Sequence, residues 1–276
     1  MARETLQGGF EKAMKERLFP HGFLSGNGYF VRIVPDVAML TVVLDIKPRK
    51  GMDIMIGIIP CCTGISAGYQ YAGIPVTGIF PVDESWLDLY ELPRQTLLPI
   101  LLKMFDEKAY KPLITMSTVE ELYEFEQKCP CIVWDPFWYL ECAQMGRYEQ
   151  VIHHLQTYID WQSSFLLRDK NNLEDDKERL EETKHAGSKR VWKRIVESRN
   201  EDILVRERDL AFHKEIIEQV IRGDTTGIDN IVRENLKKSR VFFEQYEGNN
   251  RVFGTMDFWN NHRQAGTHGD GPNGIN

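Results

Sequence analysis

The sequence predicts an α+β protein: an N-terminal helix plus an antiparallel β-meander, followed by a mainly helical C-terminal half. Two observations carry that expectation. Between residues 29 and 60, apolar side chains alternate or fill both faces of short runs, and Gly, Pro and Asp separate the runs. From residue 83 onward the apolar spacing changes to three and four, which is the period of a helix.

In chain order, Leu6, Phe10, Met14, Arg17 and Leu18 recur at helical spacing, and Pro20 with Gly22 closes that run. Gly26-Asn27-Gly28 is turn chemistry, since these residues reach positive φ at little steric cost. "YFVRIV" alternates, and Pro35-Asp36 makes a second turn. "VAMLTVVLDI" then sets Ala38, Leu40, Val42, Leu44 and Ile46 on one face, with Val37, Met39, Thr41 and Val43 on the other. A strand so apolar on both sides is covered on both sides or lies centrally in its sheet. Lys47 to Gly51 is a third turn and "DIMIGIIP" a third strand. Residues 60–82, rich in Gly, Pro and Tyr, read as a long loop with a short strand around Val76–Phe80, or as a ligand-facing surface.

Asp83 is placed to cap a helix holding Trp86, Leu87, Leu89 and Tyr90, and Pro93 breaks that run. "TLLPILLKMF" continues the helical pattern, with Pro99 in a first turn or at a kink. Ser117 and Glu120 are spaced as a capping box. "PFWYLECAQMG" and "RYEQVIHHLQTYIDWQSSFLL" form an αα-hairpin joined at Gly146. The charged run 168–184 reads as a long solvated helix or an exposed insertion. In the basic stretch after it, Trp192, Ile195, Val196, Arg199 and Ile203 keep one helical face, so a packed helix with a solvated outer side is expected. Two more helices run to about Arg222 and from about Thr226 to Tyr246, with Asp224 at a cap position. The expected divisions are 1–82 as a meander domain, 83–248 as a helical region and 249–276 as a poorly structured tail.

Helix, "PHGFLSGNGYFVRIVPD", strand and "GMDIMIGIIP", then "LLPILLKMFDE" and "STVEELYEF", follow one another in an order that resembles the bacterial DUF4304-type domain of unknown function. The resemblance spans about the first half of the chain. It implies an α+β fold and a small accessory role similar in style to the immunity partners of polymorphic toxins. It implies no catalytic residues.

Bulk properties rank the remaining functions. A net charge of −7, from 34 basic and 41 acidic side chains, disfavours nucleic-acid binding by the whole molecule, because phosphate neutralisation drives such binding. The N-terminus lacks the uninterrupted apolar stretch of a signal peptide, and no run approaches the roughly 18 apolar residues of a membrane span. A cytoplasmic protein that does not enter membranes is expected. Five cysteines, Cys61, Cys62, Cys129, Cys131 and Cys142, then default to thiols. Cys129-Pro130-Cys131 lacks both the spacing and the second pair of a structural zinc site.

No nucleophile elbow, phosphate loop, metalloprotease helix or dinucleotide fingerprint is present. No catalytic residue, metal ligand or cofactor is therefore assigned. Adjacent His153 and His154 point about 100° apart on a helix, so one half-buried and one solvated histidine is expected. Glu120, Glu121, Glu124 and Glu126 form a carboxylate cluster, of which Glu120 and Glu124 share a face as a solvated amphipathic helix presents it, weak evidence for acid–base work. Arg32, mid-strand beside Phe30 and Val34, is a candidate contact for an anion or a partner, or else an arginine paired to Asp36 or Asp45. Trp134, Trp138 and Tyr139 lie in the most aromatic segment, and read as core between the two halves or as a protein-binding hot spot. Lys189, Arg190, Lys193 and Arg194, with Lys184 and Arg199 nearby, could track a nucleic-acid backbone or simply be solvated. The function expected is a non-catalytic module that binds a protein partner, with a basic one suiting the acidic charge, as an immunity- or defence-type factor. The alternatives are a ligand binder or enzyme using the 60–82 loop, and a nucleic-acid-associated protein using 184–199. A homo-oligomer is compatible with each.

Overall fold

Among the described residues five antiparallel strands, β1 (Leu24–Gly26), β2 (Tyr29–Val34), β3 (Ala38–Ile46), β4 (Met52–Pro60) and β5 (Ile74–Pro75), pair in the order β1-β2-β3-β4-β5. The structure is a computed structural model and describes residues 5–26, 28–46, 52–64, 74–79, 92–129, 132 and 137–247. The expected turn at 47–51, the helix from Asp83 and the tail 249–276 lie outside the described residues. With its N-terminal helix and helical second half, the chain is α+β as its sequence predicts.

The apolar pattern of β3 is explained by its place. It is the central strand, and Ala38 to Val42 are all buried. Register pairs Phe30 with Val42, Arg32 with Leu40 and Leu40 with Ile58, so these side chains share one sheet face. On that face Phe30 meets Phe10 of α1 (Leu6–Leu18) edge-on at 6.0 Å between ring centroids, and both rings are fully buried. Helix α2 (Arg94–Phe105) packs on β4 and on α1. The opposite face carries Val31, Met39 and Ile59, which cluster with Phe243 and, less deeply, with Leu236 and Phe242. Those three come from the last helix, α8 (Thr226–Glu247). The sheet is therefore sandwiched between helices from the two ends of the chain, an architecture in which each apolar face is buried against another layer.

Side-chain bonds fix where α8 lies on the sheet. Asn235 Nδ2 donates to the Cys62 carbonyl at 2.9 Å, and Ser239 Oγ donates to the Cys61 carbonyl at 2.8 Å. Arg240 grips both carboxylate oxygens of Asp36, at 2.6 and 2.8 Å. Asp36 itself sits at φ 60° in the β2–β3 turn, a left-handed conformation that Asp tolerates better than most residues.

Two expectations need correction. The strand expected around Val76–Phe80 is instead β5 at Ile74–Pro75, and Val76–Ile79 coil into a 3₁₀ turn. Pro75 has no N–H with which to extend a ladder. The capping box opens one residue later than Ser117: Thr118 Oγ1 accepts from the Glu121 amide at 3.2 Å, and Glu121 Oε2 accepts the Thr118 amide in return. The same Oε2 also takes the Ser117 amide and hydroxyl, and these bonds hold the Glu121 carboxyl below its ordinary pKa. Of the two places expected for Pro99, the structure excludes the first turn: Pro99 stands inside α2, at the cost of one intrahelical bond.

After α2 the chain widens into a π turn at Asp106–Tyr110 before α3 (Lys111–Thr115). Pro112, which has no N–H to give to the preceding turn, follows that widening. The π turn presents Asp106 to Arg17 of α1 as a two-pronged pair at 2.7 and 2.8 Å. Helix α4 (Val119–Lys128) buries Val119, Leu122, Phe125 and Glu126.

The chain divides into two compact units, Met1–Asp135 with Val232–Asn276, and Pro136–Ile231. The second unit is helical. α5 (Trp138–Gln144) turns at Gly146, whose φ of 70° suits the left-handed close of a helix, into α6 (Tyr148–Glu182). This is the hairpin read from the sequence. α6 and the following α7 (Ala186–Ile221) hold 35 and 36 residues, about 50 Å each, and pack along one another as a second, much longer hairpin.

The charged run 168–184 is the distal half of α6 and is not an insertion. Its inner charges meet opposite charges of α7. Asp176 accepts from Arg199 at 2.6 Å, Asp169 pairs with Arg206 at 3.2 Å, and Lys170 pairs with Glu207 at 2.7 Å. Trp192, Ile195, Val196, Arg199 and Ile203 face inward as expected, while the residues between them are exposed.

Candidate functional site

In the sheet unit, Arg32 and Asp53 make their hydrogen bonds within the fold. Arg32 Nη1 donates to the carbonyls of Leu113 and Ile114, at 2.7 and 3.0 Å, where α3 ends. A cation there satisfies C-terminal carbonyls and meets the negative end of the helix dipole. Burial lowers its pKa from the usual arginine value. Arg32 thus ties the sheet to a helix end. Asp53, buried on the face opposite Arg32, accepts hydrogen bonds from Thr77 and the Ile54 amide.

The thiols are equally inward. Cys61, Cys62, Cys129 and Cys142 are buried, and burial pushes the Cys61 thiol up to about 12, far from a reactive thiolate. Pro130 and Cys131 lie outside the described residues, as do most of the 60–82 loop and Trp134. Among the described residues no group of three or more His, Cys, Asp or Glu side chains is arranged to hold a metal ion. Also among them, no helix is long and apolar enough to cross a membrane.

In the helical unit, Trp138 and Tyr139 are buried, each against a histidine. The Trp138 ring lies edge-on to His154 at 5.5 Å, and Tyr139 Oη is 3.1 Å from His213 Nε2. The other nitrogen of His213 faces the Asp209 carbonyl at 2.8 Å, Tyr158 donates to Asp209 Oδ2 at 2.7 Å, and Gln162 donates to Tyr158 Oη. Burial opposes ionisation of Asp209, but the bonds from His213 and Tyr158 outweigh it and hold that carboxyl low. Asp, His and Tyr in a row could suggest a catalytic relay. Here both imidazole nitrogens are engaged within the helix core, so the row links α5, α6 and α7.

His153 is exposed and His154 buried, as their angular separation predicts. Burial, with the neighbouring His153, lowers the His154 pKa to about 4. The unfolded chain, near 6.5, therefore takes up the proton first, and stability falls as pH drops from about 6.5 towards 4. Thermal unfolding of the native protein should lose about 2–3 kcal/mol across that window through this group. His154→Leu should flatten this part of the profile. Equal slopes for the two proteins would show that His154 is not held neutral.

Glu120 and Glu124 are exposed, as their shared face predicts, and so is Glu121, while Glu126 is buried. The signal was present: Glu126 follows Leu122 by four and Val119 by seven, which puts it on the buried face of α4.

The outward-facing chemistry is on α7. Lys189, Arg190, Lys193 and Arg194 are exposed over its first turns, beside exposed Lys184. Lys193 approaches Glu197 at 3.8 Å. Further along the same helix, Val191, Leu204, Val205 and Phe212 are between 48% and 63% exposed. Val191, Ser198, Val205 and Phe212 recur every seven residues, and so do Arg194, Glu201, Arg208 and Glu215. Combined, the positions from Arg194 to Glu215 step by four and three, which traces one stripe along a helix. Every member of that stripe is exposed. The seven-residue step is legible in the sequence, but it lies on the face of the helix away from the core.

Compared with known proteins, the chain matches no protein-family model, no curated protein and no solved structure.

Proposed function

We propose that the chain is a non-catalytic protein-docking module whose docking element is the long α6–α7 hairpin. One observation carries this: large apolar side chains, Val191, Leu204, Val205 and Phe212, stand on the outer side of α7. Single exposed apolar residues are ordinary, but Val191, Val205 and Phe212 share one helix face at seven-residue multiples with Leu204 beside it, and such a set is what a partner helix or groove would cover. The aromatic and arginine candidates of the sequence, Trp138, Tyr139 and Arg32, spend their contacts inside the fold and support the scaffold.

The distal half of α6 exposes Glu174, Asp175, Glu178, Glu181 and Glu182, which suits a basic partner. An immunity- or defence-type role rests on the resemblance of the first half to the DUF4304-type domain. A nucleic-acid role through Lys189, Arg190, Lys193 and Arg194 is the second reading. The acids of α6, brought alongside by the hairpin, weigh against it.

A tagged pull-down from the source cells at moderate salt tests the proposal. Wild-type protein should retain a stoichiometric protein, further copies of the chain included, and Val205→Asp/Phe212→Asp should lose it. Recovery of nucleic acid in a salt-sensitive manner, or of no macromolecule at all, would overturn the docking reading.

A further inference from the structure

We propose that the outer stripe of α7 is a self-association surface, on which the α7 of a second copy lies antiparallel about a two-fold axis passing between Leu204 and Val205. This deepens the docking reading and rests on it, naming the partner as the chain itself. Charge order sets the pairing. Along the stripe the exposed charged positions read Arg194, Glu201, Arg208, Glu215, alternating in sign at a constant step of seven residues. An antiparallel partner presents the same series reversed. One register then sets Glu201 opposite Arg208 of the other copy and Arg194 opposite Glu215, and the two-fold axis repeats each pair.

The centre of that register is apolar. It brings Leu204 of each copy against Val205 of the other, and these two residues are 51% and 63% exposed in the single chain. On both sides of the centre Phe212 follows along the stripe, level with Glu197 of the other copy, and Ser198 is a small stripe residue that lets the helices approach. Shifting one helix by a full heptad to centre on residue 208 would oppose Arg208 with itself and Glu201 with Glu215, so like charges reject that alternative. A parallel pairing in register would set every charge against its own copy. The pattern therefore specifies orientation and register together, as seam charges do in paired helices.

From Arg194 to Glu215 the stripe runs about 30 Å, long enough for a modest interface and not for an obligate one. Exposed ion pairs are screened by salt, so association should weaken as ionic strength rises.

The test uses the full chain in sedimentation equilibrium at low salt, up to about 100 µM, a range that resolves weak dimers. Wild-type protein should shift from monomer to dimer with concentration. Glu201→Arg and Arg208→Glu, each placing like charges across the interface, should each weaken the dimer at least tenfold. An equimolar mixture of these two variants should form a one-to-one heterodimer, because each then opposes the other with complementary charges. That rescue also shows that both variants are folded. A wild-type chain that stays monomeric, or a dimer indifferent to both reversals, or a mixture that does not associate, would overturn the proposal. Capture of a different protein by the pull-down, with a monomeric chain, would sink self-association and leave the docking reading standing.

Discussion

Phe30→Ala is expected to lower the unfolding free energy of the sheet unit by about 3–5 kcal/mol. Phe30 is fully buried at the point where β2 meets α1, with Phe10 edge-on at 6.0 Å and Phe19 at 6.2 Å. Removing the ring deletes the transfer free energy of its atoms and leaves a cavity between two layers that hydrogen bonds elsewhere hold apart. α1 cannot simply settle inward, because Arg17 ties it to Asp106 of the π turn. Phe30→Leu should cost much less, since most of the volume stays. Urea unfolding, with amide exchange of β2 to β4 as the local readout, distinguishes the two. A loss below about 1 kcal/mol for the alanine variant would mean that the layers collapse freely.

Gly57→Ala should be the second most damaging change, at about 2–3 kcal/mol, and its cause differs. Gly57 pairs with Thr41 in the middle of the β3–β4 ladder. A Cβ built on Gly57 would fall well inside contact distance of Thr41 Oγ1, while remaining 3.6 Å from Thr41 Cβ. Thr41 is buried and β-branched, so its hydroxyl has no easy alternative rotamer. The clash is with one atom, which makes it removable. Gly57→Ala combined with Thr41→Ala should recover most of the lost stability, because the remaining Cβ–Cβ approach is ordinary van der Waals contact. Purely additive losses in the thermal midpoints of the single and double variants would refute this account.

The sheet was legible because its information is local. "YFVRIV", "VAMLTVVLDI" and "DIMIGIIP" each carry their own period, and Pro35-Asp36 marks a turn without reference to anything distant. What stayed hidden depends on partners far along the chain. Arg32 finds the carbonyls of Leu113 and Ile114, 81 and 82 positions away, and Asp36 finds Arg240, 204 positions away. No window of sequence shows such pairs. The double-faced apolarity of β3 did announce that something covers both sides, but not that the second cover would be α8. The same limit explains Asp169 and Asp176, which read as solvated charge until the antiparallel α7 brings Arg206 and Arg199 to them. The stripe on α7 is the opposite case: its repeat is local, but exposure cannot be read from spacing alone.

The cover of the sheet by α8 has a consequence for biosynthesis. The helical unit, Pro136–Ile231, interrupts the chain of the sheet unit, whose closing segment begins only at Val232. A ribosome therefore releases all five strands long before it makes Leu236, Ser239 and Phe243. Until then Val31, Met39 and Ile59 present an uncovered apolar surface. During that interval the nascent chain is a natural client for a holdase chaperone, and a premature stop anywhere before Val232 would yield an aggregation-prone fragment in which the sheet never closes.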